Sequence, residues 1–300
     1  MLTFRRITPL TAILLMAALS AAAAPRVELL DKNLYAYISD NDHSANCTFL
    51  IGQHGILVVD TGLDAVEGRK LLAEIRKLSP LPVRYIVNTH YHPDHQGANG
   101  VVGPDATVIS SPYTRERTLE LIAHFGGLKP SDSNSPAPQF AFRAASQTLT
   151  QRLTVFLDAD PVEIAAPGPG HTMGDVYVFF SNHRSVAAGD LYMGRSSPAM
   201  DQGNVTNWIR TLDTILSLPA DHFVPGHFEV GSREDFSRFR DYLSDLYKQV
   251  DRLRRSGASI EQVRQQVDMK KYADFRQYPQ FQATFADNAE SIYRQMEQPQ

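Results

Sequence analysis

The sequence predicts a mixed α/β body followed by a helical tail, and three observations carry that prediction. Up to Gly231, short β-rich runs alternate with helical stretches and with turns rich in Gly, Asn and Asp. Beyond Gly231 the apolar residues recur at helical spacing instead. Metal-binding side chains stand where several β runs end. With 300 residues and 43% hydrophobic content, the chain can bury one large core.

The elements follow in chain order. Residues 1–24 place Arg5 and Arg6 before an apolar run from Ile7 to Leu19 and then small residues, the layout of a secretory signal peptide. The run is shorter than the roughly 20 residues that span a bilayer, and cleavage is expected near Ala23 or Ala24. The mature protein is therefore expected in the periplasm or secreted, with no membrane attachment. Residues 25–231 form the expected body. In it, "LYAYI", "CTFLIG" and "GILVVD" are strands, the last reaching Asp60. "DAVEGRKLLAEIRKLS" is a helix: Asp64 caps it, Leu71, Leu72, Ile75 and Leu78 make its apolar stripe, and Pro80 lies beyond its end.

"VRYIVNTH" is a buried strand that leads into "YHPDHQG", where Pro93 is expected to stop regular structure and Gly97 and Gly100 to permit a turn. "ATVISS" is a strand and "TRERTLELIAHFGG" a helix; residues 126–138, rich in Pro and Ser, read as a long loop. "LTVFLD", "VEIAAPGPGH", "DVYVFF", "RSVAAGD" and "HFVPGH" are strands, with a helix over "NVTNWIRTLDTILSL". Residues 232–300 are a helical extension packed on the body. Phe236, Phe239, Leu243, Leu246, Val250 and Leu253 form its apolar stripe, Ser232 is its N-cap, and Ser259 with Gln262 makes a capping box for the next helix. The aromatics Tyr272, Phe275, Tyr278, Phe281 and Phe285 are expected to pack in the core.

Without residues 1–24 the chain has 27 basic and 33 acidic side chains, a net charge of −6, which offers nothing to nucleic acid. Its single cysteine, Cys47, has no partner for an internal disulfide and is expected to pack in a strand. The expected partner is a small-molecule substrate.

Chemistry concentrates at four places. His90, His92, Asp94 and His95 crowd into six positions, and His171, Asp190 and His227 each follow a β run beside glycine, in "GPGHT", "AAGD" and "VPGH". Glycine lets backbones approach closely, as a tight site requires. Asp60, at a strand end in "VVDTG", is placed to fix a ligand histidine from behind. Tyr192, two residues past Asp190, is a candidate to face the cleft as an oxyanion-binding group. His43, His54, His124, His183 and His222 lie outside the pattern and read as surface or structural residues.

The ordered set HxHxDH, GHT, GD and PGH, together with "VVDTG", resembles the metallo-β-lactamase superfamily over about residues 30–230. The resemblance implies a four-layer αβ/βα sandwich with two metals at one edge, between facing sheets. It implies that His90, His92 and His171 hold the first ion, that Asp94, His95 and His227 hold the second, and that Asp190 bridges them. The donor chemistry agrees: three imidazoles suit zinc and leave a position open, while the oxygen-richer second set also tolerates iron or manganese.

The expected cofactor is therefore a pair of Zn2+ ions. The expected activity is that of an exported dinuclear hydrolase using a metal-bridging hydroxide to cleave an ester, thioester, lactone or amide bond. Asp94 is the candidate to orient that hydroxide and pass a proton to the leaving group.

Substrate is less legible. Similar β-lactamases carry cysteine where this chain has Asp190, or serine near it, which argues against that activity. Glyoxalase II enzymes share the aspartate and a helical tail but add a basic, tyrosine-bearing stretch, where this chain has only Arg195. Lactonases share every ligand, and nucleases of the family want a basic channel. An iron-dependent persulfide dioxygenase-like enzyme is the alternative from redox chemistry, although a filled second set argues against it. A non-catalytic metal-binding or redox-relay accessory protein is the alternative without turnover.

Overall fold

The computed structural model describes residues 24–125, 139–200, 202–278 and 282–297. The expected export segment (but for residue 24), the expected loop over 126–138 and Phe281 lie outside the described residues. Among the described residues no helix is long and apolar enough to cross a membrane.

Seven strands form the first sheet in chain order: β1 (Arg26–Asp31), β2 (Leu34–Ile38), β3 (Cys47–Ile51), β4 (Ile56–Val59), β5 (Val83–Val87), β6 (Thr107–Ser110) and β7 (Gln147–Thr148). The first four run antiparallel, whereas β4 to β7 pair in parallel. Parallel neighbours need crossovers. Helix α1 (Ala65–Leu78) supplies the one from β4 to β5, and its start is fixed by Asp64, which accepts from Val66 N at 2.8 Å and Glu67 N at 3.1 Å.

The second sheet has the order β12-β11-β10-β9-β8, built from β8 (Arg152–Leu157), β9 (Asp160–Ala165), β10 (Tyr177–Phe180), β11 (Ser185–Gly189) and β12 (His222–Pro225). Only β11 and β12 are parallel, joined through α5 (Val205–Leu216).

The period-2 alternation of strands explains the layers. Leu57, Val59, Val87 and Ile109 face Val162, Ile164, Val178 and Phe180 across the space between the sheets. Their neighbours Val58, Ile86 and Val108 point the other way, onto Leu71 and Ile75 of α1 and Val102 of α3 (Asn99–Val102). On the second sheet, Tyr177, Phe179, Val186 and Ala188 turn outward onto Trp208 and Leu212 of α5 and Phe236, Phe239 and Leu243 of α6 (Arg233–Arg255). Strands buried on both faces read as unbroken apolar runs such as "ILVV" and "YVFF" for this reason. Each such side chain contributes about 1.5–3 kcal/mol by leaving water.

The tail belongs to the same outer layer. Helices α6, α7 (Ile260–Gln266) and α8 (Phe285–Glu297) share one buried cluster with α5 and the outer face of the second sheet. Tyr272 and Phe275 are buried in it, as expected, and both capping boxes form at Ser232 and Ser259.

Two expectations about the metal loop and its neighbour need correction. Pro93 does not stop regular structure; it opens a single turn of helix, α2 (Pro93–Gln96). The first turn tolerates proline because its missing N–H has no intrahelical acceptor there. That turn carries Asp94 and His95. Likewise β9 ends at Ala165, so His171 sits on a loop beyond the strand and not at its tip. Strands β1 and β7 are further additions; β7 has only two residues, too few for a periodic signal.

Candidate metal centre

The seven candidate donors meet at one edge, where the C-terminal ends of β5, β11 and β12 converge. Two sets of donor atoms form, each with its atoms within 4.8 Å of one another: His90, His92, His171 and Asp190, and Asp94, His95 and His227. In the first, His92 Nδ1 stands 2.9 Å from His90 Nε2 and 3.2 Å from His171 Nε2. Asp190 Oδ2 is 3.4 Å from His171 Nε2 and 3.9 Å from His90 Nε2.

In the second set, Asp94 Oδ2 lies 3.1 Å from His227 Nε2 and 3.5 Å from His95 Nε2. The other oxygen of Asp190, Oδ1, faces this set, 3.3 Å from His95 Nε2 and 3.7 Å from His227 Nε2. One carboxylate thus presents one oxygen to each set.

These separations fit cations. Donors around a tetrahedral zinc with bonds of about 2.0–2.1 Å stand about 3.3 Å apart. His95 Nε2 and Asp190 Oδ1 are also buried with no hydrogen-bond partner. A buried polar atom left alone costs about 1–3 kcal/mol, and a bound ion would satisfy both.

The nitrogens turned away from the centre are held too. His95 Nδ1 donates to Asp60 Oδ2 at 2.8 Å. Asp60 also accepts from Thr89 N at 2.8 Å and Thr89 Oγ1 at 2.7 Å, while its own backbone sits at φ 56°, in the left-handed region. Asp60 is thus behind His95, away from the donor atoms of the cleft. Having given its proton to Asp60, the Thr89 hydroxyl accepts from His90 Nδ1 at 3.2 Å. His171 Nδ1 donates to the Ala199 carbonyl at 3.2 Å, and His92 Nε2 donates to Gln202 Oε1 at 3.1 Å. Such partners fix which nitrogen faces the ion.

Backbone approach explains the glycines. A Cβ on Gly226 would stand 1.9 Å from Asp190 Oδ1, and Gly189, at φ 52°, would meet Thr89 Oγ1 at 2.4 Å. Asn46 clamps the segment around His227, donating Nδ2 to Pro225 O at 3.2 Å and to Phe228 O at 2.7 Å.

Protonation differs between the sets. Burial holds His90 well below the ordinary imidazole range, with His95 and His92 adding repulsion. Burial likewise takes His171 down to about 4, against the pull of Asp190. In the second set burial again opposes charge. At His95, however, the carboxylates of Asp190, Asp94 and Asp60 outweigh it and raise the imidazole well above its ordinary value. His227 is raised in the same way by Asp190 and Asp94. Burial works to raise Asp94 and Asp190 as well, but His95 and His227 win, bringing Asp94 to about 2 and Asp190 well below the usual carboxylate range.

Several working residues had escaped the sequence reading. Gln202, Thr89 and the Ala199 carbonyl are among them. Asp175 is another: it accepts from Gly170 N at 3.0 Å, Thr172 N at 2.9 Å and Thr172 Oγ1 at 2.7 Å, and so shapes the loop that carries His171. Burial pushes its carboxyl up to about 7 despite these donors. Its signal was an aspartate four residues past the histidine in "GHTMGD".

Tyr192, one candidate to face the cleft, is instead 1% exposed and packs on Phe236 and Phe239, ring centroids 4.9 and 5.6 Å away. Of the histidines outside the pattern, His183 is buried against Asp31 at 3.1 Å and His54 pairs with Asp158 at 2.6 Å. Both are structural contacts away from the centre.

Two facing mixed sheets, helices outside each, and paired His/Asp donor sets at one edge define an αβ/βα sandwich that carries a candidate metal centre. A model of the metallo-β-lactamase superfamily matches residues 40–227. The chain belongs to that superfamily.

Among similar proteins, the 2,4-dinitroanisole O-demethylase subunit alpha of Nocardioides sp. (strain JS1661) is 29% identical over 230 residues, covering 76% of this chain and 63% of that one. The linear primary-alkylsulfatase of Pseudomonas sp. (strain ATCC 19151) is 23% identical over 282 residues, 80% of this chain and 53% of that one. The solved structure of the stereoselective inverting sec-alkylsulfatase from Pseudomonas sp. shares the fold, with a TM-score of 0.69 at 15% identity over 90% of this chain and 50% of that one. The chain therefore spans between half and two thirds of the length of these relatives.

Proposed function

We propose that the protein is a dinuclear zinc hydrolase that cleaves an ester, thioester, lactone or amide bond of a small-molecule substrate, in the periplasm or outside the cell. The observation that carries the reading is the divided carboxylate of Asp190, with Oδ2 toward one donor set and Oδ1 toward the other. A donor shared in this way supports a pair of ions over a single one. Three imidazoles in the first set favour zinc; the added carboxylate of the second leaves room for iron or manganese.

When bound there, such ions lower the pKa of water toward about 7 and polarise an acceptor oxygen. The remaining work falls to side chains. Asp94 is the most open carboxylate of the centre, its side chain 24% exposed against 7% for Asp190 and 3% for Asp60. It is placed to take a proton from the attacking water and return it to the leaving group. Asp60, Thr89, Ala199 and Gln202 keep the imidazoles aimed, so no reorientation is needed during the reaction.

A second reading keeps the site and changes the bond. Two of the similar proteins are alkylsulfatases, which supports including a sulfate ester among the substrates. The test is a metal count on the purified protein together with a panel of lactones, thioesters, carboxylic esters, β-lactams, phosphodiesters and alkyl sulfates. About two zincs per chain and turnover of an acyl substrate are expected; turnover of the alkyl sulfate alone would move the reading to the second bond. One iron with oxygen-dependent turnover of a persulfide would overturn the proposal. So would a full metal pair with no turnover on any member of the panel.

A further inference from the structure

The connection between β11 and α5 touches both the metal centre and the tail. On the metal side, the Ala199 carbonyl accepts from His171 Nδ1 at 3.2 Å. Gln202 Oε1 accepts from His92 Nε2 at 3.1 Å and from the Tyr91 hydroxyl. Close by, Asn204 N donates to Gly170 O at 3.0 Å, and Gly203 runs so near that a Cβ would meet the same oxygen at 1.7 Å. Two of the three first-set imidazoles are thus aimed by this one segment.

Among its described residues the segment forms no strand of either sheet. Much of what fixes it comes from the tail. Gln295 of α8 reaches both sides of Gln202: its Nε2 donates to Met200 O at 3.0 Å, and its Oε1 accepts from Val205 N at 3.0 Å. One amide therefore closes a loop of the connection like a clasp. Asn288, also on α8, donates to Ser197 Oγ at 2.8 Å and to the Tyr242 hydroxyl of α6 at 2.9 Å. Ser197 N donates to Arg276 O at 2.9 Å, and Arg276 N to Arg195 O at 3.0 Å.

The second set leans elsewhere. Asp60 behind His95 and Asn46 around His227 both belong to the body. On that side the tail makes ring contacts with Phe228, from Tyr278 at 5.9 Å and Arg276 at 4.7 Å.

We infer that Gln295 is a positioning residue for the first donor set, acting through the connection that it clasps and through Gln202, which aims His92. The inference rests on the reading of a two-ion centre. A side-chain amide with both its groups on main-chain atoms holds geometry, so the effect should appear as metal affinity at one set only.

The test measures zinc affinity by chelator competition in two backgrounds of the full chain. His227→Ala leaves only the first set complete, and His92→Ala leaves only the second. In the first background, Gln202→Ala should weaken zinc about 10–100-fold and Gln295→Ala by about tenfold. Gln202→Glu, which keeps an acceptor for His92, should stay within about threefold of the parent. In the second background all three changes should leave affinity unaltered. Equal affinity of Gln295→Ala and parent in the first background overturns the inference, and so does an equal loss in both backgrounds, which a merely structural role predicts. Should Gln295→Ala not fold, Gln295→Glu, which keeps the acceptor for Val205 N and loses the donor to Met200 O, should show a loss confined to the first background, and equal affinity with the parent there overturns the inference. If the unaltered protein does not hold two ions, the two-ion reading itself fails, an outcome distinct from either.

Discussion

The two donor sets share a carboxylate yet differ in what holds them and in the protons they carry. The first is almost all imidazole, and two of those rings are aimed by a connection outside both sheets. Burial keeps His90 and His171 neutral, ready to receive a cation. The second mixes carboxylate and imidazole and rests on Asp60, itself 2% exposed and hydrogen-bonded to Thr89. Its carboxylates push the imidazoles of His95 and His227 upward, toward their charged form. His90 and His171 of the first set are thus kept toward their neutral form, whereas His95 and His227 of the second are drawn toward their charged form on a foundation that belongs to the body. Proximity in one cleft does not make two sites equivalent.

The sharpest way to break this comparison is Asp190→Ala, because it removes a donor from both sets at once. Metal content should fall below two ions per chain and turnover by at least about a thousandfold, since several kcal/mol of ion-derived stabilisation goes with it. A variant that still holds both ions tightly, by elemental analysis after dialysis, would remove Asp190 from the bridge.

Asp60→Ala comes next. It should weaken the ion at the second set by about 10–100-fold while sparing the first more. It should also lower the stability of the metal-free protein by about 1–3 kcal/mol, because the amide of Thr89 loses its acceptor in a buried place. Chelator competition and denaturant melts check the two parts.

The smallest effect is the most diagnostic of the contrast in protons. A raised imidazole pKa lends stability that is complete below the unfolded value near 6.5 and fades as pH climbs through the folded value. His95 and His227 behave so. The lowered carboxyl of Asp94 lends stability above an unfolded value near 3.9, lost as pH falls through about 2. These pairs therefore favour the metal-free protein most between about pH 4 and 6.5.

His90 and His171 act in the opposite sense, since neutral buried rings cost stability as pH drops below about 6.5. Binding at the second set should consequently release protons near neutral pH and weaken on acidification, while binding at the first should release few. Calorimetry in two buffers of different ionisation enthalpy reads the proton count for each ion. Equal counts would erase the distinction.

Much of this was legible in the sequence because ligands follow strands whose apolar runs are unmistakable. "VRYIV", "SVAAG" and "HFVP" are the strands observed, and the donors beyond them come together at one edge. The helices with caps were legible for the same local reason. What escaped was contact between distant segments. The acceptor for His171 is a main-chain carbonyl, which any residue type could supply, so no side chain announces it. Gln202 lies 110 residues from His92 and looks like any loop glutamine. Pro93 misled because proline marks both the end of regular structure and the first turn of a helix. Tyr192 misled because nearness to Asp190 along the chain says nothing of which way a ring turns once α6 packs against it.

Gly226 carries a last consequence. Strands β11 and β12 are paired in parallel, with Gly189 opposite Pro225, and their tips deliver Asp190 and His227 side by side. With no side chain at 226, the Asp190 oxygen rests almost on bare peptide. The spacing of Asp190 and His227 is consequently ruled by the ladder joining those neighbouring strands more than by any flexible arm. Heat or pressure that opens this corner of the sheet would pull the donors of the two sets out of step before the core let go.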